Sequence, residues 1–297
     1  MTTPNRARLC AMLILLATPI AGQAHEIDLT WTTGKGRFES RAVQAEFGLG
    51  KLPLRLTAEY LDVTDEGSSV RQTGGSLAWR VAEPLELRLG LTRLDDNVFV
   101  MEGGDIGATV HLDKFWHGSQ ATFLKLAYAT MDYTPDTARS LPPAFLSRLP
   151  EQRRYSAGLE QGLGKDLSIS LAYDKYDYTQ DPVDLATAVA LAFLRRGGRP
   201  PGAAFVLTSF PDHATAVALQ WQVTDKLVLD LAYDQSETVI GQRQKSSSVG
   251  VSREIGAFTL GLTITHSSST AVSTARGIPL APAGSDTYLA LRAGIQF

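Results

Sequence analysis

The chain has 297 residues, 28 of them basic and 31 acidic, for a formal net charge of -3. That balance gives no basic footprint for nucleic acid, and no stretch beyond the N-terminus sustains the roughly 18 apolar residues of a membrane-crossing helix. With one cysteine, Cys10, no disulfide framework can form within the chain.

The N-terminus reads as a secretory signal. Arg6 and Arg8 precede an apolar stretch over residues 9 to 20, and Gly22-Gln23-Ala24 offers small residues for cleavage. The expected organisation is a cleaved signal over 1–24 and one barrel domain over 25–297. Cys10 leaves with the signal, so the mature part would hold neither a thiolate nucleophile nor a cysteine metal site.

Beyond the signal one pattern recurs, an alternating apolar segment that often closes on Tyr or Asp before a polar loop. It stands as Leu54-Arg-Leu-Thr-Ala-Glu-Tyr60, Leu124-Lys-Leu-Ala-Tyr128, Leu167-Ser-Ile-Ser-Leu-Ala-Tyr173-Asp174 and Leu227-Val-Leu-Asp-Leu-Ala-Tyr233-Asp234. Period-two alternation over eight to ten residues is the signature of a strand with one face in hydrocarbon and one in water. Read this way, strands are predicted over 26–33, 38–49, 52–62, 70–81, 85–94, 106–114, 121–130, 154–163, 167–177, 213–223, 227–235, 246–255, 258–266 and 286–297. The first is short, which leaves twelve or sixteen strands as alternatives to fourteen.

The connections alternate in length. Short links fall at 50–51, 82–84, 115–119, 164–166, 224–226 and 256–257, and longer ones near 63–69, 95–105, 131–153, 178–212, 236–245 and 267–285. Membrane barrels have short turns at one rim and long loops at the other, so this alternation is a second sign of the same fold. In the longest loop Asp181-Pro182 opens a predicted helix over 183–194, with Leu185, Val189 and Phe193 on a shared face. Arg195, Arg196 and the glycines after them would end it, and Arg195, Arg196 and Arg199 are candidates for an anion-attracting entrance.

The last segment places Leu289, Leu291, Ala293, Ile295 and Phe297 on one face, and Arg292, Gly294 and Gln296 on the other. Applied to every strand, the same alternation sends Arg55, Glu59, Arg88, Lys125, Glu160, Asp174, Asp230 and Arg292 to the inner wall as candidate pore-lining residues. Glycine and alanine recur on that wall, as at Gly90, Ala127, Ala216 and Gly250, and small residues leave space. The charges could instead pair into a ladder that fills the interior.

These strands, and a terminal strand ending Ile295-Gln296-Phe297, resemble the porin-like outer-membrane β-barrels of Gram-negative bacteria over essentially the whole mature chain. One departure is Ile295, where the usual residue two before the terminal Phe is Tyr. The resemblance implies a single antiparallel up-and-down transmembrane β-barrel with a short helix in a long extracellular loop. It also implies an outer-membrane location with periplasmic termini. Outer-membrane lipid and lipopolysaccharide would surround it, and the assembly machinery would read Leu291, Ala293, Ile295 and Phe297. The expected function is passive or selective passage of small solutes, without a cofactor, a metal or enzymatic activity.

Two other classes are weighed against the channel. One is a non-conducting scaffold docking a periplasmic or surface partner. The other is a lipid-modifying barrel enzyme, for which His266-Ser267-Ser268 supplies the one candidate motif. The acids Asp95, Asp96, Glu102 and Asp105 are the remaining candidate cluster, either a site for a divalent ion bridging lipopolysaccharide or, the reading preferred, hydrated surface charge.

Overall fold

The computed structural model describes residues 25–35, 38–49, 52–65, 68–95, 99–115, 120–135, 149–183, 210–273, 279–281 and 283–297. The predicted signal over 1–24 lies outside them.

All fourteen predicted strands are present and close into one barrel. They are β1 (His25–Gly34), β2 (Glu39–Gly48), β3 (Leu54–Asp65), β4 (Ser68–Ala82), β5 (Leu85–Asp95), β6 (Phe99–His111) and β7 (Thr122–Pro135). β8 (Glu151–Gly162), β9 (Leu167–Tyr178), β10 (Pro211–Thr224), β11 (Leu227–Thr238), β12 (Arg243–Ile255) and β13 (Phe258–Ser269) follow. A two-stranded ribbon, β14 (Val272–Ser273) with β15 (Pro279–Ala281), precedes the last barrel strand, β16 (Gly284–Gln296). Each barrel strand pairs antiparallel with its neighbours in sequence, and β1 pairs with both β2 and β16. At the seam the His25 N–H donates to the Phe297 carbonyl at 3.0 Å, and the Phe297 N–H returns a bond to the His25 carbonyl at 3.0 Å. Closure leaves no sheet edge, the condition under which strands can cross hydrocarbon.

The alternating pattern sorts the two faces. Leu89, Leu91, Ile106, Leu231, Val249 and Leu260 point outward and are exposed, which for a membrane barrel is the face that meets lipid. Tyr128, Tyr155, Tyr173 and Tyr233 stand on that face toward the long loops, while Trp79, Trp221, Phe258 and Phe297 stand on it near the short turns. Two aromatic levels result, as expected for rings with an apolar body at two interfaces.

Several strands run further toward the long-loop rim than the sequence pattern shows. β4 begins at Ser68, β6 at Phe99, β7 reaches Pro135 and β8 begins at Glu151. In these extensions polar and apolar residues do not alternate, with Phe99, Val100 and Met101 apolar in succession and Glu151, Gln152 and Arg153 polar in succession, so the pattern fades while the backbone ladder continues. Some predicted long loops shrink accordingly, and only Val239 to Gln242 separate β11 from β12. At the other rim β6 stops at His111, and Leu112–Lys114 forms a 3-10 turn, which removes Asp113 from the strand to which the sequence assigns it. Gly256 turns β12 into β13 with a φ of +66°, a conformation that glycine adopts without strain.

Candidate functional site: the inner wall of the barrel

Strand register brings Arg55, Glu59, Arg88, Lys125, Glu160, Asp174, Asp230 and Arg292 onto the inner face, opposite the outward leucines. Of these eight, only Lys125 and Glu160 pair with each other, at 2.8 Å. Arg55 does not pair with Glu59. Its Nη2 donates to both oxygens of Glu86 at 2.7 and 2.8 Å, and its Nη1 reaches Glu46 at 3.3 Å. Arg88 faces Asp105 at 3.8 Å. Arg292 grips Asp28, Nε to Oδ1 at 2.7 Å and Nη2 to Oδ2 at 2.8 Å, and lies 3.6 Å from Glu26. Guanidinium and carboxylate match in shape, which fixes these groups better than a single contact would.

Three of these partners escaped the sequence reading. Asp28 and Glu26 alternate with Ile27, Leu29 and Trp31, so the period of β1 already places them inward, but that strand was too short for its polar face to be read. Asp105 follows Gly103 and Gly104 and was assigned to a loop. It is an inward residue of β6, opposite Gly90, and its carboxylate occupies the space that a Cβ at that glycine would take.

The other side of the wall differs. Ala214, Ala216 and Ala218 on β10, Ala232 on β11, Ser246, Ser248 and Ser252 on β12, and Thr263 and Thr265 on β13 make a low surface of small and hydroxyl side chains. Its acids are held by neutral groups. Ser156 donates to Asp174, Gln220 Nε2 to Asp230 at 3.2 Å and Ser246 to Asp234 at 3.1 Å. Across the described inner face Glu26, Asp28, Glu46, Glu59, Glu86, Asp105, Glu160, Asp174, Asp230, Asp234 and Asp286 outnumber Arg55, Arg80, Arg88, Lys125, Arg154 and Arg292.

Toward the long-loop rim this wall becomes apolar on one side. Phe210, just before β10, is fully buried and packs against Tyr133 at a ring distance of 5.2 Å and Tyr178 at 5.4 Å. Met101 and Ala129 are buried on the same inner face. The Tyr178 hydroxyl donates to the Pro211 carbonyl at 2.8 Å and accepts from Gln152 Nε2 at 2.9 Å. This cluster pins the end of the longest connection inside the barrel mouth. No polar alternation marks Phe210, so nothing in the local pattern points to it.

Asp181 accepts the Val183 N–H at 2.8 Å and Pro182 and Val183 take helical geometry, while the rest of the predicted helix over 183–194 lies outside the described residues. Leu185, Val189, Phe193, Arg195, Arg196 and Arg199 lie outside the described residues. Leu291 and Phe297 are about half exposed on the outward face that Ala293 and Ile295 share.

The two remaining candidates disperse. His266 lies on the outward face of β13, where its Nδ1 meets Thr287 Oγ1 at 3.2 Å and its Nε2 meets Ser285 Oγ at 3.4 Å. Neither is a carboxylate that would orient a catalytic imidazole, and Ser267 points to the opposite face. Among the acids, Glu102 is an outward partner of Arg93 and Asp105 faces inward, so the two cannot share an ion; Asp96 lies outside the described residues.

No protein-family model matches the chain, and a search of curated proteins finds no match. Among solved structures, the CymD monoaromatic hydrocarbon channel is similar at a TM-score of 0.55 and 10% identity, over 92% of this chain and 88% of that one. The outer membrane channel DcaP of Acinetobacter baumannii scores 0.45 at 8% identity, over 94% and 99% of the two chains. An anion-selective porin from Comamonas acidovorans scores 0.44 at 9% identity, over 93% and 99%. At such identities the likeness to CymD is one of fold: this chain shares with that channel the architecture of a closed antiparallel β-barrel.

Proposed function

We propose that the protein is an outer-membrane channel for small polar solutes, with a preference for cations. The observation that carries this reading is the exposure of the inner charges. The side chains of Arg55, Arg88, Lys125 and Arg292 face the barrel axis, yet are 48%, 50%, 55% and 46% exposed. A salt-bridged interior packed shut would bury them; exposed, they border a space that water can occupy. The excess of inner acids would raise the local concentration of cations and oppose anions, as charged rings do in other pores.

In this reading the termini and short turns are periplasmic and the long loops extracellular. Lipopolysaccharide and membrane lipid surround the barrel, and the assembly machinery reads the C-terminal strand. Arg195, Arg196 and Arg199 would stand near the entrance, a local exception to the acidic wall. Single-channel recording in planar bilayers tests the proposal. Stepwise conductance with a cation-selective reversal potential is expected. No conductance, either from the intact protein or from one lacking residues 182 to 205, would overturn it in favour of a non-conducting scaffold.

A further inference from the structure

Arg154 on β8 stands apart from the inner cations that hold a carboxylate. It faces the lumen, directly opposite Ala129 on β7 and Tyr176 on β9, and the Tyr176 hydroxyl lies beside its guanidinium. Among the described residues it makes no ion pair, unlike Arg55, Arg88, Lys125 and Arg292. Its Nε is buried without a hydrogen-bond partner. A guanidinium carries five N–H donors, and a buried donor left unmet is costly, so this group is short of an acceptor.

The one acid among its immediate neighbours in the register is Asp174, and the two do not meet. Asp174 opposes Ser156, two positions along β8 from Arg154, which makes it a diagonal neighbour within reach of a long side chain. Its carboxylate instead accepts from Ser156. A carboxylate offers about four acceptor positions, so most of its capacity stays open. The next acid, Asp105, lies one strand further, across Ala129, and is turned to Arg88 at 3.8 Å. In front of Asp174 the wall is low, because Ala172 shares its face and Ala214 and Ala216 on β10 oppose the two. A cation and an anion of the wall thus stand side by side, each short of a partner. A simple ion would satisfy one of them and leave the other; a solute with an ammonium next to a carboxylate satisfies both.

We propose that Arg154 and Asp174 form a subsite for the ammonium and carboxylate groups of an α-amino acid. The solute carboxylate meets the Arg154 guanidinium and the Tyr176 hydroxyl, the ammonium meets the open positions of Asp174, and the solute side chain lies over Ala172 and Ala214 toward the lumen. This assignment rests on the channel reading and adds a solute class to it. A zwitterion has no net charge, so the acid excess of the wall neither draws it in nor repels it, and selection falls to this pair.

Saturation-transfer NMR on the detergent-purified barrel, titrated with L-alanine, tests the proposal, with conductance in potassium chloride recorded on the same preparation. Saturable binding with a Kd on the order of millimolar is expected. Propionate, which lacks the ammonium, and ethylammonium, which lacks the carboxylate, should each bind at least about tenfold more weakly, as should L-alanine to R154Q and to D174N. Both variants should still conduct, which shows an intact barrel; the parent's preference for L-alanine over the two analogues decides the matter without any variant. No saturable binding to the parent, analogues that bind as tightly as L-alanine, or equal affinity in conducting R154Q and D174N would overturn the subsite and leave the channel standing. Loss of conductance in the parent would overturn the channel reading, and the role of the subsite in passage with it.

Discussion

Arg292 on the last strand and Asp28 on the first meet inside the barrel, two parallel N–H···O contacts of 2.7 and 2.8 Å across the seam that closes the sheet. They are 264 residues apart in sequence, so this contact exists only once the barrel has closed. The pair lies level with a ladder register in which Thr30 opposes Arg292, and Gly294 leaves room for the carboxylate: a Cβ there would come within 2.6 Å of Asp28 Oδ1.

Replacing Arg292 by alanine should therefore weaken closure. Arg292 is partly exposed and its pairing alone contributes on the order of 1 kcal/mol, but Asp28, only 15% exposed, would lose its cation. A lower urea midpoint in detergent is expected for R292A and an unchanged one for the outward control K245A. Equal midpoints in all three proteins would remove Arg292 from any role in closure.

Asp230 and Asp234 are held by Gln220 and Ser246 and face no described cation within salt-bridge distance. Neither is tied up in an ion pair, so D230N/D234N should reduce the cation preference, by roughly a factor of two in permeability ratio. The reversal potential under a potassium chloride gradient measures this. No change would mean that selectivity is set elsewhere, with the entrance arginines the next candidates.

At Gly90 the inner wall has space for a methyl group only if the Asp105 carboxylate moves. A Cβ would occupy the position of the Asp105 carboxylate, so G90A should push Asp105 aside and free Arg88 from its weak pairing. A shift of the reversal potential toward anions is expected, with the barrel intact by circular dichroism. If G90A behaves as the parent in both assays, Asp105 does not govern Arg88.

Phe210 closes the apolar cluster with Tyr133 and Tyr178. Truncation to alanine removes a fully buried ring, a loss of about 3–5 kcal/mol in a packed core. Because the barrel itself does not depend on this ring, the loss should fall on the anchoring of the longest connection. F210A is expected to show faster proteolysis within residues 184–209 and larger or noisier conductance. Unchanged proteolysis and conductance would exclude that anchoring role.

The backbone of Phe297 makes both hydrogen bonds to His25, whereas its ring is half exposed outside. F297S keeps the backbone pairing and removes the ring. It should lower the amount of barrel assembled in cells several-fold while leaving the urea midpoint of the assembled fraction near that of the parent. A lowered midpoint with normal assembly would assign the ring to stability and not to recognition.

The fourteen strands were legible in the sequence because each carries its own two-sided pattern within its own few residues. Leu227, Leu229, Leu231 and Tyr233 must face hydrocarbon whatever their neighbours are, so the period of two is written locally. The inner face followed by parity, and Arg55, Lys125, Asp230 and Arg292 with it. Which of these charges meet was a different matter. Arg55 could have paired with Glu59 two positions behind it on the same strand face, and it pairs with Glu86 two strands away, because the register of β3, β4 and β5 brings that carboxylate to it. The strand extensions and the Phe210 anchor were likewise decided by tertiary structure. Each depends on residues that alternation places on a face without ranking them along it, and only strand register sets height and neighbour. Sequence alone determined the barrel and its two faces; register and closure decided which charges pair and where the mouth is filled.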